Sequence, residues 1–336
     1  MHLSVSMLMR DLPHEPERQP KFRRFILEDW NPLSGHGKQR IIYAPNPAMR
    51  IVHKRIRMHL LDRCPPSPYA TGSVRGGSTL VNAKRHKGNR FFLLYDIRSA
   101  YPSVDLEKLI WCLAQCDPRA VSTGDWYCEV EEVLTRFVMA EEGGLMTGAP
   151  SSPAWFNLYA GVLIDIPLGA YCLKHGLTYT RYLDDITISS LKPIGHRVNG
   201  KRKSRKIRDG IRAIIESSGM AIHDEKALAH DIMRGPVVIN GIGMDRDGRM
   251  FVPRHFFHRV KNALRSALRT AGAYPPPAIV NGLMSVIRAV TRRYVFATRG
   301  QQKLLDLHRK WKWRQDLIRN ATRKATKKSK PKKARR

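Results

Sequence analysis

Three aspartates stand where their chemistry could be combined. Asp96 follows the apolar run Phe91-Phe92-Leu93-Leu94-Tyr95, and Asp184-Asp185 separate Leu177–Tyr182 from Ile186–Ser190, two runs rich in β-forming residues. Each acid alone has an ordinary structural explanation, as a helix cap or a turn residue. Together they say more, because both elements read as strands of one sheet, at whose edge the carboxylates can meet. Three carboxylates ~4 Å apart repel by ~4 kcal/mol per pair at an effective dielectric of about 20. Such a cluster persists only when some members are protonated or a cation sits among them. An all-oxygen site that leaves room for waters and phosphates is what Mg2+ takes. Two ions roughly 3.5–4 Å apart would activate a terminal hydroxyl and stabilise a leaving pyrophosphate in an in-line displacement.

The elements that must hold these acids can be read from pattern. Residues 91–95 predict a strand buried on both faces. Leu106, Leu109, Ile110 and Leu113 follow helical spacing, and a second helix is expected over Val130–Ala140. After Gly143-Gly144 comes Leu145–Pro153, where Ser152 and Pro153 suit the N-cap and first turn of a long apolar helix running to about Lys174. Residues 177–190 predict a tight hairpin with the acids at its tip. In the basic segment His196–Arg212, Gly200–Lys206 reads as solvated loop. A helix and a strand at Pro236–Ile239 complete an α+β unit. From Arg254 the pattern is helical: Phe256, Val260, Leu264 and Leu268 recur every fourth residue, interleaved with Arg259, Lys261 and Arg265. That is an ordinary surface helix, and also a basic face suited to gripping a backbone. The chain after about Asn320 is low-complexity and expected to be disordered. No internal repeat is present.

Composition narrows the partner. The 336 residues carry 60 Lys and Arg against 28 Asp and Glu, a formal charge of +32, with 42% apolar content, enough for a sizeable core. The tail Arg323–Arg336 holds nine cations, so most of the excess belongs to the body. Such an excess points to a polyanion, nucleic acid ahead of anionic membrane. Cys64, Cys112, Cys116, Cys128 and Cys172 form no CxxC pair and no metal-ligand spacing, which suits a reducing cytoplasm. The first residues have acids too early and an apolar run too short for a signal peptide, and no stretch is expected to approach the ~20 apolar residues of a membrane span. Lys38 and Arg40, on alternate residues of a predicted strand, share a face and can clamp a triphosphate, Arg bidentately; they are equally an exposed basic pair.

Phe92–Tyr101 resembles polymerase motif A of reverse transcriptases, Leu145–Pro153 resembles motif B, and Tyr179–Asp185 resembles motif C, in the family's order and separations. The resemblance runs from about Lys38 to Leu268. Val81–His86 is similar to the NAxxH element of retron enzymes, GAPSSP at 148–153 is retron-like, and Ile239-Asn240-Gly241 stands where retrons usually carry VTG. The resemblance implies an α+β right-hand polymerase. Its fingers would span 1–90 and its palm 91–250, with inserted fingers helices around 104–147. A helical thumb over 251–320 and a basic disordered tail over 321–336 would follow. It implies catalysis by Asp96, Asp184 and Asp185, with these and Ile97 holding two Mg2+. It also implies nucleotide contacts from Lys38, Arg40, Tyr101, Thr147, Gly148 and Lys226. Tyr101 would exclude a ribose 2′-hydroxyl, or is a core aromatic; Lys226 would protonate pyrophosphate, or is a surface lysine. Thr147 departs from the usual Gln. Asn82, His86, Arg259, Lys261 and Arg265 would contact RNA, although His86 also suits a structural hydrogen-bonding role. The implied partners are a dedicated structured noncoding RNA, its RNA-linked DNA product, dNTPs and a separate effector protein in antiphage defence, in the cytoplasm without a membrane. The rivals are another small defence-associated or group II intron-derived reverse transcriptase, and a non-catalytic RNA-binding scaffold.

Overall fold

A computed structural model describes residues 4–12, 19–31, 36–122, 125–195, 197–198, 201–202, 205–270, 277–291 and 299–328. They fall into two compact units, Met1–Asn240 and Gly241–Arg336. The first opens with α1 (Val5–Met9), the ribbon β1 (Phe22–Asn31) and β2 (His36–Pro45), α2 (Pro47–His59) and α3 (Thr79–Arg85). Next come β3 (Phe91–Arg98), α4 (Leu106–Ala114), α5 (Arg119–Ser122) and α6 (Trp126–Phe137). After α7 (Ser152–Ala160) and α8 (Ile166–Lys174) follow the hairpin β4 (Thr178–Tyr182) and β5 (Asp185–Ser190), and a short ribbon of β6 (Arg197–Val198) and β7 (Lys201–Arg202). The unit ends with α9 (Lys206–Ser217), β8 (Ala221–Ile222), β9 (Leu228–Asp231) and β10 (Val237–Ile239).

β3 is the central strand, as its continuous apolar run requires. It pairs antiparallel with β5 on one side and with β8 and β9 on the other, while β4 borders β5. Successive side chains point to opposite faces. Leu93, Tyr95 and Ile97 join the main core with Leu109 and Leu113 of α4, Val130 and Leu134 of α6 and Trp155, Phe156 and Tyr159 of α7. Phe92 and Asp96 belong to the other face, where Phe92 lies 6.4 Å, ring to ring, from His86 at the end of α3.

Several local expectations need correction. The apolar stretch 152–174 is one continuous rod only in composition: a π-helical turn, Gly161–Asp165, joins α7 to α8. Its cap also lies one residue early, at Ser151, whose hydroxyl meets His53 Nδ1 at 2.6 Å, while Ser152 Oγ donates to the Met146 carbonyl at 2.7 Å. The stretch Ser152–Lys174 is long and apolar enough to cross a membrane, contrary to the expectation from sequence; 61% of its most apolar window is buried in the protein, as a core helix. Of the expected loop at 200–206, residues 201–202 pair as β7, and 200 and 203–204 lie outside the described residues.

The second unit holds the short pair β11 (Ile242–Met244) and β12 (Met250–Phe251), then α10 (Arg254–Arg269), α11 (Pro277–Thr291) and α12 (Arg299–Lys328). Its core joins Val260, Leu264 and Ala267 of α10 to Val280, Met284 and Ile287 of α11 and Leu304 and Trp311 of α12. The backbone of α12 stays helical through Lys328, so residues 321–328 are not the irregular tail expected from composition. Nucleation is the costly step, and good helix formers such as Lys, Arg and Ala extend an existing helix at little cost. Residues 329–336 lie outside the described residues.

Candidate active site

The antiparallel register sets Asp96 of β3 directly opposite Asp185 of β5, and Asp185 pairs in turn with Tyr182 of β4. Leu183 and Asp184 are therefore the two-residue turn, with Asp185 already in the strand. Leu183 takes φ +56°, left-handed backbone that β-carbon sterics disfavour. The surroundings hold it there. Its carbonyl accepts from Arg181 Nη1 at 3.0 Å, and Gly72 lies so close that an added Cβ would stand 2.9 Å from Leu183 N. The Asp184 carbonyl accepts from Ile97 N at 3.0 Å, which ties the turn to β3 beside Asp96.

Arg181 is itself fully buried. Its guanidinium forms a two-pronged pair with Asp165, 2.8 Å on each prong, and also donates to Asn157 Oδ1 at 3.0 Å. Tyr179 OH donates to the same Asp165 carboxylate at 2.6 Å. A buried charge is tolerated only when paired and hydrogen-bonded. Here the pair fastens the hairpin to the π turn beneath it.

Asp96 and Asp184 border a cavity of about 550 Å³, together with Ile97, Arg40, Tyr101, Thr147, Glu142 and Lys226. Burial, reinforced by Asp96, pushes the Asp184 carboxyl above its ordinary value. Burial first, then Asp184 and Asp96, raise Asp185 to about 6. Opposing these, Lys226 Nζ lies 2.9 Å from Asp96 Oδ2 and Asn240 Nδ2 donates to Asp185 Oδ2 at 2.6 Å. Among the described residues no three His, Cys, Asp or Glu side chains form a ready-made cation cage. With Asp96 drawn to Lys226 and Asp185 to Asn240, the carboxylates are not gathered on one point. Their chemistry still fits a hard divalent ion: oxygen donors only, few of them, on an open cavity, with the Asp184 and Asp185 carboxyls held above their ordinary values, which a cation would bring back down.

The reverse transcriptase (RNA-dependent DNA polymerase) family matches residues 29–232, more than half of the sequence. The chain belongs to the reverse transcriptase family. Its fold is accordingly the α+β right-hand polymerase, and dependence on divalent metal goes with the family. It is similar to the retron Ec86 reverse transcriptase of Escherichia coli, 29% identical over 61% of this chain and 58% of that one. It is also similar to the retron Mx162 and Mx65 reverse transcriptases of Myxococcus xanthus, each 25% identical, over 70% and 75% of this chain. The matched part spans 52% and 58% of those two proteins, so this chain covers little more than half of these three curated relatives. Among solved structures, a telomerase of Candida tropicalis aligns at 9% identity, covering 87% of this chain and 62% of that one with a TM-score of 0.47, too loose to bear on the comparison.

Within this reverse transcriptase, several expected contacts converge on the cavity. Tyr101 packs its ring 5.6 Å from Phe156, and burial, reinforced by Asp184, pushes its phenol up to about 12, so it stays protonated. The Thr147 carbonyl accepts from Tyr43 N at 2.8 Å, fastening β2 to the loop before α7. Gly148 has φ +98°, and a Cβ there would come 3.1 Å from the Tyr43 carbonyl and from Ile42, so the loop needs glycine. Arg40 borders the cavity from the exposed part of β2. The backbone of Lys38 pairs with Asp29 in the same ribbon, and its side chain lies outside the described residues.

The expected RNA contacts fare differently. His86 is fully buried, with its ring nitrogens 2.7 Å from Ser189 Oγ and Thr180 Oγ1, and burial pushes it down to about 3. It is a neutral structural histidine. Asn82 is fully buried too and bonded to Thr71 and Asn240. Neither is open to an RNA, because the NAxxH element turns these polar groups inward to satisfy the back of the sheet. Arg259 and Arg265 are exposed and Lys261 half-buried. At about 100° per residue they do not share one face: Arg259 lies on one flank of the buried stripe, Lys261 and Arg265 on the other.

Pattern reading missed Arg181, Asp165 and Asn240 as parts of the site. Two of them had a signal. Asp165 is the sole acid between Ser152 and Lys174, and Arg181 is a charge in a strand otherwise destined for burial. A buried acid and a buried base require each other.

Proposed function

We propose that this chain is an RNA-directed DNA polymerase that copies a dedicated structured noncoding RNA into RNA-linked single-stranded DNA, in the manner of a retron. The polymerase part is carried by one observation: Asp96 and Asp185 face each other in register, and Asp96 and Asp184 border a cavity that Arg40, Tyr101 and Lys226 also line. The retron part is supported by the three curated relatives above, all retron reverse transcriptases. It is also supported by the charge of +32, which suits a phosphate-rich partner.

In this reading Asp96, Asp184, Asp185 and the Ile97 carbonyl would hold two Mg2+ ions. When bound, these supply Lewis-acid activation of the primer hydroxyl and neutralise charge on the triphosphate. The primer hydroxyl gives up its proton to solvent and its oxygen forms a new bond to the α-phosphorus of the dNTP, as the bond from that phosphorus to the β-phosphate oxygen breaks and pyrophosphate leaves. Arg40, with Lys38 on the same strand, grips the triphosphate, which brings the reacting atoms together and neutralises charge without moving a proton. Lys226 shifts from Asp96 to the departing pyrophosphate and donates its proton there. Tyr101, wedged against Phe156, leaves no room for a 2′-hydroxyl. Thr147 and Gly148 floor the nucleotide pocket. The first 90 residues and those around 104–147 form fingers, the remainder to 250 the palm and 251–320 the thumb. Arg259, Lys261 and Arg265 meet the nucleic-acid backbone from two sides of α10. An effector protein encoded alongside, a part in antiphage defence and a cytoplasmic setting complete the proposal.

The test is to express the protein with its native flanking DNA and run its bound nucleic acid on a denaturing gel. One discrete species is expected, shortened by RNase to a DNA of fixed length and by DNase to an RNA. The DNA part should vanish in Asp185→Asn while the RNA remains. Free cDNA would indicate another small reverse transcriptase. RNA with no attached DNA from the unmodified protein would indicate a scaffold.

A further inference from the structure

A line of side-chain hydrogen bonds runs behind the catalytic hairpin and ends on one of its acids. Thr71 Oγ1 donates to Asn82 Oδ1 at 3.0 Å, Asn82 Nδ2 donates to Asn240 Oδ1 at 2.5 Å, and Asn240 Nδ2 donates to Asp185 Oδ2 at 2.6 Å. The line also begins on the hairpin, because the Thr71 backbone N donates to the Arg181 carbonyl at 2.8 Å while its single hydroxyl proton serves Asn82. It therefore closes a ring around the turn, leaving β4 two residues before Leu183 and returning to β5 two residues after it. Every amide points the same way along this ring. Reversing Asn240 would set its oxygen against the Asp185 carboxylate and its nitrogen against the Asn82 nitrogen, so both neighbours fix one orientation. Asn82 is fully buried, which makes an unmade bond expensive. Asn240 holds φ +48°, a conformation that asparagine tolerates better than most residues.

We propose that Asn82 and Asn240 are positioning residues that pin Asp185 Oδ2 from behind, fixing the plane of the carboxylate so that its other oxygen is presented to the divalent ion. The proposal rests on the polymerase reading above and deepens it. Neither asparagine touches substrate. Both act through Asp185, as the outer partners of ligating carboxylates do, whose loss typically weakens metal binding 10–100-fold. Two segments that resemble retron sequence elements, 81–86 and 239–241, would thereby meet in one task, orientation of a catalytic acid, rather than contact with RNA.

The test titrates Mn2+ into the full-length protein, follows binding by calorimetry and by electron paramagnetic resonance, and runs primer extension in parallel. Asn240→Gly deletes the amide while keeping left-handed backbone accessible, and Asn82→Ala suits a helix. Each should weaken Mn2+ binding about 10-fold and raise the half-saturating Mg2+ for extension by a similar factor. The KM for dNTP at saturating Mg2+ and the RNA affinity should stay within about two-fold, because their contacts are elsewhere. The double variant should bind Mn2+ no more weakly than Asn240→Gly alone, since Asn82 acts only through Asn240. Circular dichroism and thermal melts confirm that each variant is folded. Unchanged Mn2+ affinity in folded Asn240→Gly overturns the proposal, and so do losses that multiply in the double variant. If the unmodified protein makes no DNA and its Mn2+ binding is indifferent to Asp185→Asn, the polymerase reading fails instead.

Discussion

Asp185 carries two consequences that can be separated by pH. Its carboxyl is near 6 in the folded protein and 3.8 in an ordinary setting, so it is raised on folding. The folded state then binds the extra proton. Its stabilising contribution is complete below about pH 4 and is lost as pH rises through 6. Above that range the ionised, repelled carboxylate costs stability in the metal-free protein. Asp185→Asn should therefore be more stable than the parent at pH 7.5 in EDTA, by about 1–2 kcal/mol after discounting for partial exposure. The gain should vanish near pH 4, and Mg2+ at pH 7.5 should shrink or reverse it. Urea melts at the two pH values check this, and equal stabilities at pH 7.5 would contradict it. The same substitution, like Asp184→Asn, should abolish primer extension while RNA affinity stays within about three-fold, because phosphate contacts by Lys and Arg carry binding. Tyr101→Val tests sugar selection: with the ring gone from its place against Phe156, ribonucleotide use relative to dNTP should rise. An unchanged ratio of efficiencies would leave Tyr101 as packing alone.

The elements around the acids depend on a buried ion pair that no periodicity announces. Arg181 and Asp165 are both fully buried, and the pair joins β4 to the π turn between α7 and α8. Breaking it from one side leaves an unpaired charge in the core. Asp165→Ala or Arg181→Met alone should cost about 3–5 kcal/mol in urea unfolding, whereas Asp165→Leu with Arg181→Met should cost less than either. Equal losses for single and double variants would mean that the site is sensitive to volume rather than charge. Regular pattern made most of this region legible. A continuous apolar run gave β3, a composition rich in β-forming residues gave β4 and β5, and four-residue spacing gave α10. The π turn was not legible, because its sequence, Gly161–Asp165, is as apolar as the helices on either side. Only the demand of Arg181 for a partner distinguishes it.

At the scale of the molecule, charge is the quantity to test. The excess of +32 is spread along the chain, and the last fourteen residues hold nine of the cations. Deleting 323–336 should weaken RNA binding and flatten its log–log salt dependence, by up to ~0.7 for each single-strand phosphate that the tail no longer neutralises. Primer extension at low salt should survive, because these residues lie far along the chain from the acids. A salt slope identical to that of the full chain would place the tail away from the RNA. The helix through Lys328 adds a way to divide the effect: ending the chain at 328 removes only the last segment and leaves the helix intact.

The sequence by itself determined the class of chemistry and pointed to the class of partner. Three acids on two strands, an excess of Lys and Arg, and motifs in a fixed order depend on residue type and chain order, which survive without coordinates. It also located β3, the β4–β5 hairpin, α4 and the apolar stretch of α7 and α8, because burial leaves a pattern that can be read, but it did not show α3, β8 or β9, which are short and weakly patterned. The tertiary structure decided what each polar residue faces. Asn82, expected at RNA, is internal, as is His86, for which a structural role was also expected, whereas Asn240, not read as a site residue, bonds Asp185, and Arg181 holds the turn through the Leu183 carbonyl. Periodicity records whether a side chain is apolar enough to be buried. It does not record the partner of a buried polar group, which is set by contacts between segments as far apart as Asn82, Asp185 and Asn240.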